Sequence, residues 1–334
     1  MKKFKKLMLL PVYLFMFDGQ PNTNLTTSDG LSDEMKTYYS DYLIDLVEPE
    51  LVHDLFAQKH PIPKNGGKTI EFRQWDTLPE MVTPLTEGVT PDGQSLSMST
   101  VTATVEQYGG YVTLSDMLML TAIDPVLIVA TKAIASQAGR SLDTISREVL
   151  NSGTIVQYAE GQVSDRAQLA YTDETTNHNL TARAIKMAVR FLESQDAPKI
   201  DGFYAGIVHP YCKFDLTNDE EWRKPHEYVD PENIYENEIG ELYGVRFVQS
   251  SRAKKWEGAG AGGVDVYSTL IMGADAYGTT EVTGGGLQHI VKQLGSAGTA
   301  DALNQRATCG WKATKVTELL VPQYIVRIET TATP

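Results

Sequence analysis

The stretch KTIEFRQWDTLPEMVTPLTEGVTPDGQSLSMSTVTATVEQYGGY, residues 68–111, decides how the rest of the chain is read. Two long β-type runs flank a polar, turn-rich tip. The outgoing run places Ile70 and Phe72 on one face and Thr69, Glu71 and Arg73 on the other. The returning run sets Val101, Ala103 and Val105 against Thr100, Thr102, Thr104 and Glu106, again with a period of two. Gly88, Pro91, Asp92 and Gly93 supply turn chemistry between them. At about 3.3 Å per residue, such an arm reaches on the order of 35 Å. A two-stranded ribbon is marginal in water by itself, so its apolar face needs a cover. That face is expected to find no cover in its own molecule and to be completed by an adjoining copy. The candidate contact residues at the tip are Thr86, Glu87, Gly88, Val89, Pro91, Asp92 and Gly93.

Outward from the ribbon, 334 residues allow one large domain or two moderate ones. Hydrophobic content of 42% and charged content of 22% are those of a globular protein with a real core. A net charge of −14 argues against a dedicated nucleic-acid binder, which would carry a basic stripe. The one concentrated basic run is Lys2, Lys3, Lys5 and Lys6. Cys212 and Cys309 stand far apart, without ligand spacing, and read as isolated buried thiols in a reducing compartment.

The opening MKKFKKLMLLPVYLFMF has the basic and apolar regions of a secretory leader. Pro11 interrupts the apolar run, and Phe15-Met16-Phe17-Asp18 is bulky and acidic where a small-x-small cleavage site would fall. The run is also too short to span a bilayer. An apolar arm docking on protein, through Leu14, Phe15 and Phe17, is the expectation.

Residues 34–56 read as helical, with a break or kink at Pro49. The strongest helix runs from Asp124, an N-cap, and Pro125, at the first helical position, to a stop at Asn151-Ser152-Gly153. Leu127, Ala130, Ile134, Ala138, Ile145 and Val149 form its apolar stripe. Lys132, Arg140, Asp143, Arg147 and Glu148 are expected on a wet or partner-facing side. From Thr175 the pattern becomes α+β. A helix is expected over 179–194 with Asn179 at its cap, then a buried strand over 203–208 and a helix opened by Pro210. Residues 215–237 read as an acidic surface loop. Strands are expected over 244–249, 264–272 and 289–294, with one or two more between 307 and 328.

No motif carries enzyme chemistry. Gly258-Ala259-Gly260-Ala261-Gly262-Gly263 satisfies GxGxxG, but a strand signature follows it where a nucleotide site needs a helix, so it reads as a loop. The six histidines show no metal-ligand spacing, and Ser115 and Ser251 lack a nucleophile context. No catalytic, cofactor or metal residue is assigned.

Several segments together resemble a known family. They are EMVTPLTEGVTPDGQSLSMSTVTATVEQYGGYVTLSDM (80–117), DPVLIVATKAIASQAGRSLDTISREVLNSGT (124–154), GVRFVQS (244–250), GWKATKVTELLVPQYIVRIE (310–329) and the opening LPVYLFMFDGQPNTN (10–24). Their order resembles HK97-like major capsid proteins of tailed double-stranded DNA bacteriophages, in particular the podovirus-type family common in phages of Gram-positive bacteria. The resemblance implies an N-arm (1–30), an N-terminal helical P-domain segment (31–66) and an E-loop β-hairpin (67–116). It further implies a spine helix with P-domain (117–175), an A-domain (176–300) and returning P-domain strands (301–334).

The implied function is self-assembly of hexamers and pentamers into an icosahedral shell. Portal protein, and scaffolding or decoration proteins, would be the partners, and DNA would be held by enclosure, with Lys2, Lys3, Lys5 and Lys6 nearest to it. Assembly in the host cytoplasm, the virion as destination, and no membrane or cofactor are implied too. The tip, 86–94, contains no Lys, which argues against the Lys–Asn crosslink of some relatives, and the arm is too short for an internal scaffolding domain. The rival reading is an exported bacterial surface binding protein that uses the first seventeen residues as its signal.

Overall fold

The computed structural model describes residues 51–61, 68–75, 78–85, 87–88, 90, 92–122, 126–171, 177–226, 238–281, 287–296 and 301–334. The body of the helix expected over 34–56 lies outside them. Past Pro49 the chain forms a 3₁₀ turn, Val52–Asp54, and a short strand β1, Gln58–His60.

The ribbon forms, with strand β2 (Thr69–Trp75) antiparallel to β3 (Met98–Thr104) and Phe72 opposite Val101. Its alternation is the expected one. Ile70, Phe72 and Ala103 are buried, while Thr69, Glu71, Arg73, Thr100, Thr102 and Thr104 face outward. The returning run is not one strand, however. It breaks at Val105, whose N–H donates to the Lys68 carbonyl at 2.7 Å, and continues as β4 (Glu106–Ser115) in a different sheet.

Ser115 caps a short helix α1 (Asp116–Thr121), its hydroxyl accepting the Leu118 N–H at 3.2 Å. Helix α2 (Val126–Leu150) follows, 25 residues or about 38 Å long. The expected cap at Asp124 and Pro125 lies outside the described residues. The stop is where it was expected, with the Asn151 N–H and Nδ2 both donating to the Arg147 carbonyl. The buried stripe is rotated from the expected one. Ala130, Ile134 and Ala138 belong to it, but Leu127, Ile145 and Val149 are only half-buried, and Leu142, Asp143, Ser146 and Leu150 complete it. Asp143, expected on the wet side, is fully buried because His53 waits for it there.

Beyond α2 the chain gives β5 (Val156–Tyr158), α3 (Ala182–Ser194), β6 (Tyr204–Val208), α4 (Pro210–Asn218) and α5 (Glu220–His226). Strands β7 (Glu238–Leu242), β8 (Val245–Gln249), β9 (Lys255–Trp256) and β10 (Val266–Met272) come next. Every residue of β6 and β10 is buried, as strands covered on both faces require.

Two expectations fail here. The cap of α3 is Thr181, whose hydroxyl accepts the Ala184 N–H, while the Asn179 side chain reaches Thr331 and Thr333. The expected loop over 215–237 contains α4 and α5 as far as residue 226. Its acidic residue Asp219 is structural, since one carboxylate oxygen takes the Ala182 N–H and the other the Glu221 N–H, and Trp222 is buried. The glycine run 258–263 is a loop with a 3₁₀ turn that leads directly into β10.

The last strands are β11 (Tyr277–Thr280), β12 (Leu287–Lys292), β13 (Arg306–Lys315), β14 (Thr317–Leu319) and β15 (Ile325–Thr330). They distribute over three sheets. The largest has the order β5-β15-β10-β6-β8-β7, with β9 added beside β10. A second, β12-β13-β4, lays Leu114, Ala307, Cys309, Trp311 and Ala313 against α2. The third is β1-β11-β14.

That small third sheet overturns the expectation of an uncovered ribbon. Phe72 packs over Gly278 of β11 so closely that a Cβ there would stand 2.5 Å from the ring. The His60 ring meets the Phe72 ring edge-on at 4.9 Å, and Val316 joins Ile70 and Ala103 in the same cluster. The ribbon's root therefore has its cover within its own chain. The part beyond it has no such cover among the described residues.

Candidate assembly surfaces

Beyond Trp75 the arm carries its apolar side chains into open space. Met81 is 62% exposed, Val82 81%, Leu85 74% and Leu96 67%. At the tip Glu87, Gly88, Asp92 and Gly93 are exposed, and nothing lies within 4 Å of where a Cβ on Gly88 or Gly93 would stand. Gly88 has φ +78°, the left-handed value that favours glycine. Thr86, Val89 and Pro91 lie outside the described residues, as do Leu14, Phe15, Phe17 and the lysines 2, 3, 5 and 6.

The expected polar face of α2 divides into two. Lys132 and Arg140 are exposed. Arg147 is instead half-buried, donating to the Arg252 carbonyl at 2.9 Å and to Glu148 at 2.7 Å. Lys254 reaches Glu148 from the other side at 2.5 Å. Burial works against the Glu148 charge, but the hydrogen bonds from Lys254 and Arg147 hold its carboxyl below the usual range. Arg147 thus fastens α2 to the segment between β8 and β9.

A buried clasp holds the segment that precedes the ribbon to the body. The His53 N–H and Nδ1 both meet the Asp143 carboxylate, at 2.9–3.0 Å. Lys315 Nζ donates to Asp54 at 2.5 Å and to the Leu142 carbonyl at 3.0 Å, and the Ser146 hydroxyl donates to Asp54. The Tyr277 hydroxyl donates to the His53 carbonyl at 2.6 Å. Four elements distant in sequence are pinned together just before the ribbon. The alternation of β13 gave a signal for this, because Lys315 falls on its inward face.

Two more surfaces were missed. Helix α1 buries none of its residues, leaving Met117 and Leu120 largely exposed; DMLMLT was the available cue. The outward face of the β12-β13-β4 sheet carries Lys292, Arg306 and Lys312 beside exposed Tyr111 and Ile290.

Reactive chemistry is not assembled among the described residues. No group of three or more His, Cys, Asp or Glu there could hold a metal. Burial pushes the Cys212 thiol up to about 12 and raises Cys309 as well, so both remain unreactive thiols. No helix of the described residues is long and apolar enough to cross a membrane.

Comparison with solved structures agrees with this geometry. The fold is similar to the capsid of Ralstonia phage GP4, at 14% identity and a TM-score of 0.65, covering 95% of this chain and 97% of that one. The Cyanophage Pam1 capsid asymmetric unit gives 14% identity and 0.60, over 94% and 99%. The mature capsid of bacteriophage PhiM1 gives 15% and 0.54, over 84% and 87%. No curated protein matches the sequence. The architecture is the HK97-like fold that the resemblance implied. The family model for phage capsid protein matches residues 99–327, from the returning strand of the ribbon to the last strand of the large sheet. With more than two thirds of its length matched, the chain belongs to the phage capsid protein family.

Proposed function

We propose that this structural capsid protein closes its shell through the arm at residues 78–97, which lies across an adjacent copy. One observation carries the reading: a root anchored in its own molecule holds Met81, Val82, Leu85 and Leu96 out in solvent. A lone monomer gains nothing from such exposure, whereas a shell buries it at every repeat. Each contact needs little strength because it recurs many times in a closed assembly.

In this reading α2 is the spine of a flat wedge, held by the clasp and by Arg147. The 176–300 region gathers around five- and six-fold axes, and the first thirty residues reach another copy through Leu14, Phe15 and Phe17. DNA is held by enclosure, with lysines 2, 3, 5 and 6 touching phosphate. Portal and scaffolding or decoration proteins complete the particle, which assembles in the host cytoplasm. The protein acts by binding copies of itself, without catalysis. Family membership favours this over an exported surface protein.

Deleting residues 87–93 tests it. The expected product is a soluble, folded subunit that forms no shells by electron microscopy. Normal particles from that deletion would refute the role of the arm.

A further inference from the structure

We infer that residues 34–48 fold as an amphipathic helix along the open side of α2 in the same chain, covering Ile128 and Val129 and pairing their acidic edge with Lys132 and Arg140.

That side is traced by spacing. Ile128, Lys132, Ser136, Gly139, Asp143 and Ser146 recur at intervals of three and four, so they follow one line along the helix. The C-terminal end of the line is covered. His53 meets Asp143 there and Asp54 meets Ser146, and all four residues are buried. The N-terminal end is open, with Ile128 42% exposed and Val129 beside it 55%. Lys132 and Arg140 are exposed too, and neither forms an ion pair with a described residue, in a chain whose net charge is −14. A side that is apolar at one end and cationic further along calls for an acidic, amphipathic cover.

The chain itself arrives from that end. His53 lies 90 residues before its partner on α2 and Asp54 lies 92 before its own, so the two numberings rise together. The segment ahead of them therefore runs toward the start of α2. Leu51 is already buried in the cluster of Leu114, Ala130 and Ile134. Carried back, the offset of 92 sets Glu48 at Arg140, Asp41 beside Lys132, and Tyr38 and Met35 over Val129 and Ile128. The segment has the matching chemistry. Met35, Tyr38, Tyr42 and Leu46 repeat at helical spacing, and Asp41, Asp45 and Glu48 form an edge beside them. Its fifteen residues span about 22 Å as a helix, the same length as α2 from Ile128 to Asp143. Pro49 ends the helix, and at most about 10 Å of chain then joins Glu48 to Leu51, which holds the helix to its own α2. The start of α2 becomes the point from which the first thirty residues depart.

Amide exchange on the full chain tests the cover. Residues 34–48 should exchange at least about a hundred-fold more slowly than an unstructured segment, and Val129→Asp should remove that protection while β6 and β10 keep theirs. Lys132→Glu with Arg140→Glu should speed exchange over 34–48 by about ten-fold at low salt, and adding Asp41→Lys with Glu48→Lys should restore it. In Tyr38→Cys with Val129→Cys, oxidation should close a disulfide within one chain, the native thiols being buried. It would be read as a faster-running monomer on a non-reducing gel and as one linked peptide pair by mass spectrometry. Unprotected amides over 34–48 overturn the inference, as does protection that the charge reversal leaves unchanged. A cysteine pair that stays reduced, or that joins two chains, overturns it as well.

Discussion

Phe72→Ala is the sharpest test of how the arm is held. The ring is 1% exposed and lies on Gly278, with Ile70, Ala103 and Val316 around it. Truncating a buried phenylalanine costs about 3–5 kcal/mol, and the upper half of that range applies where neighbours cannot collapse into the void. Here the floor is strand backbone without a side chain, which cannot move in. A loss of about 4 kcal/mol, roughly a thousand-fold in an opening equilibrium, falls on the contact between ribbon and body. A two-stranded ribbon has little stability of its own, so it should detach locally while the sheets and α2 stay folded. Amide exchange resolved by segment is the assay. Residues 69–75 and 98–104 should lose protection by roughly a thousand-fold, with β6 and β10 unchanged. Gly278→Ala attacks the same contact from the opposite side, because its Cβ would stand 2.5 Å from the ring, and should give the same pattern. Thr102→Ala, on the exposed face, should be nearly silent. Unchanged exchange in the ribbon of both core variants would refute the conclusion that the root is covered by its own chain.

Other consequences are open to measurement. Lys315→Met leaves Asp54 charged and buried, and should cost about 3–5 kcal/mol by denaturant unfolding, whereas Lys315→Met combined with Asp54→Leu should recover most of it. Burial opposes the Asp143 charge, but hydrogen bonding and charge from His53 prevail and hold its carboxyl below the usual range. Its stabilisation is therefore present above about pH 4, the unfolded value, and fades as pH falls through the lower folded one. The stability curve of Asp143→Asn should lie below that of the wild type near neutrality and converge with it in acid. Gly206→Ala places a Cβ 2.6 Å from the Phe247 ring within the fully buried β6, and should destabilise the large sheet by about 1–3 kcal/mol in thermal melts.

What was legible in the sequence was what local periodicity controls. The alternation of residues 69–73 and 100–104 and the length of α2 needed no knowledge of distant neighbours. The failures share one cause, which is a partner far along the chain. Asp143 looks like a wet residue until His53 stands beside it. Asp219 looks like loop until its two oxygens are seen capping α3 and α5. Phe72 looks uncovered until Gly278 arrives beneath it. The register of β4, β13 and β12 likewise decides which lysines face outward together, and no single segment contains that information.

The same logic separates the root of the ribbon from the part beyond it. A protein that completes itself in copies keeps, in each single chain, groups that are unsatisfied there. Met81, Val82 and Leu85 are exposed, and they lie before the tip residues, 86–93, that the sequence singled out. Lys292, Arg306 and Lys312 share a face only after three strands have met, and look like ordinary surface lysines and arginine until then. Ribbon root and arm also answer to different constraints. The root is fixed by Phe72 buried on Gly278, while the arm, in the function proposed above, stays available until another copy arrives. Treating the whole ribbon as one uncovered element merged these requirements. The boundary between them lies close to Trp75 and Met98, where the paired strands of the root end and the exposed arm begins.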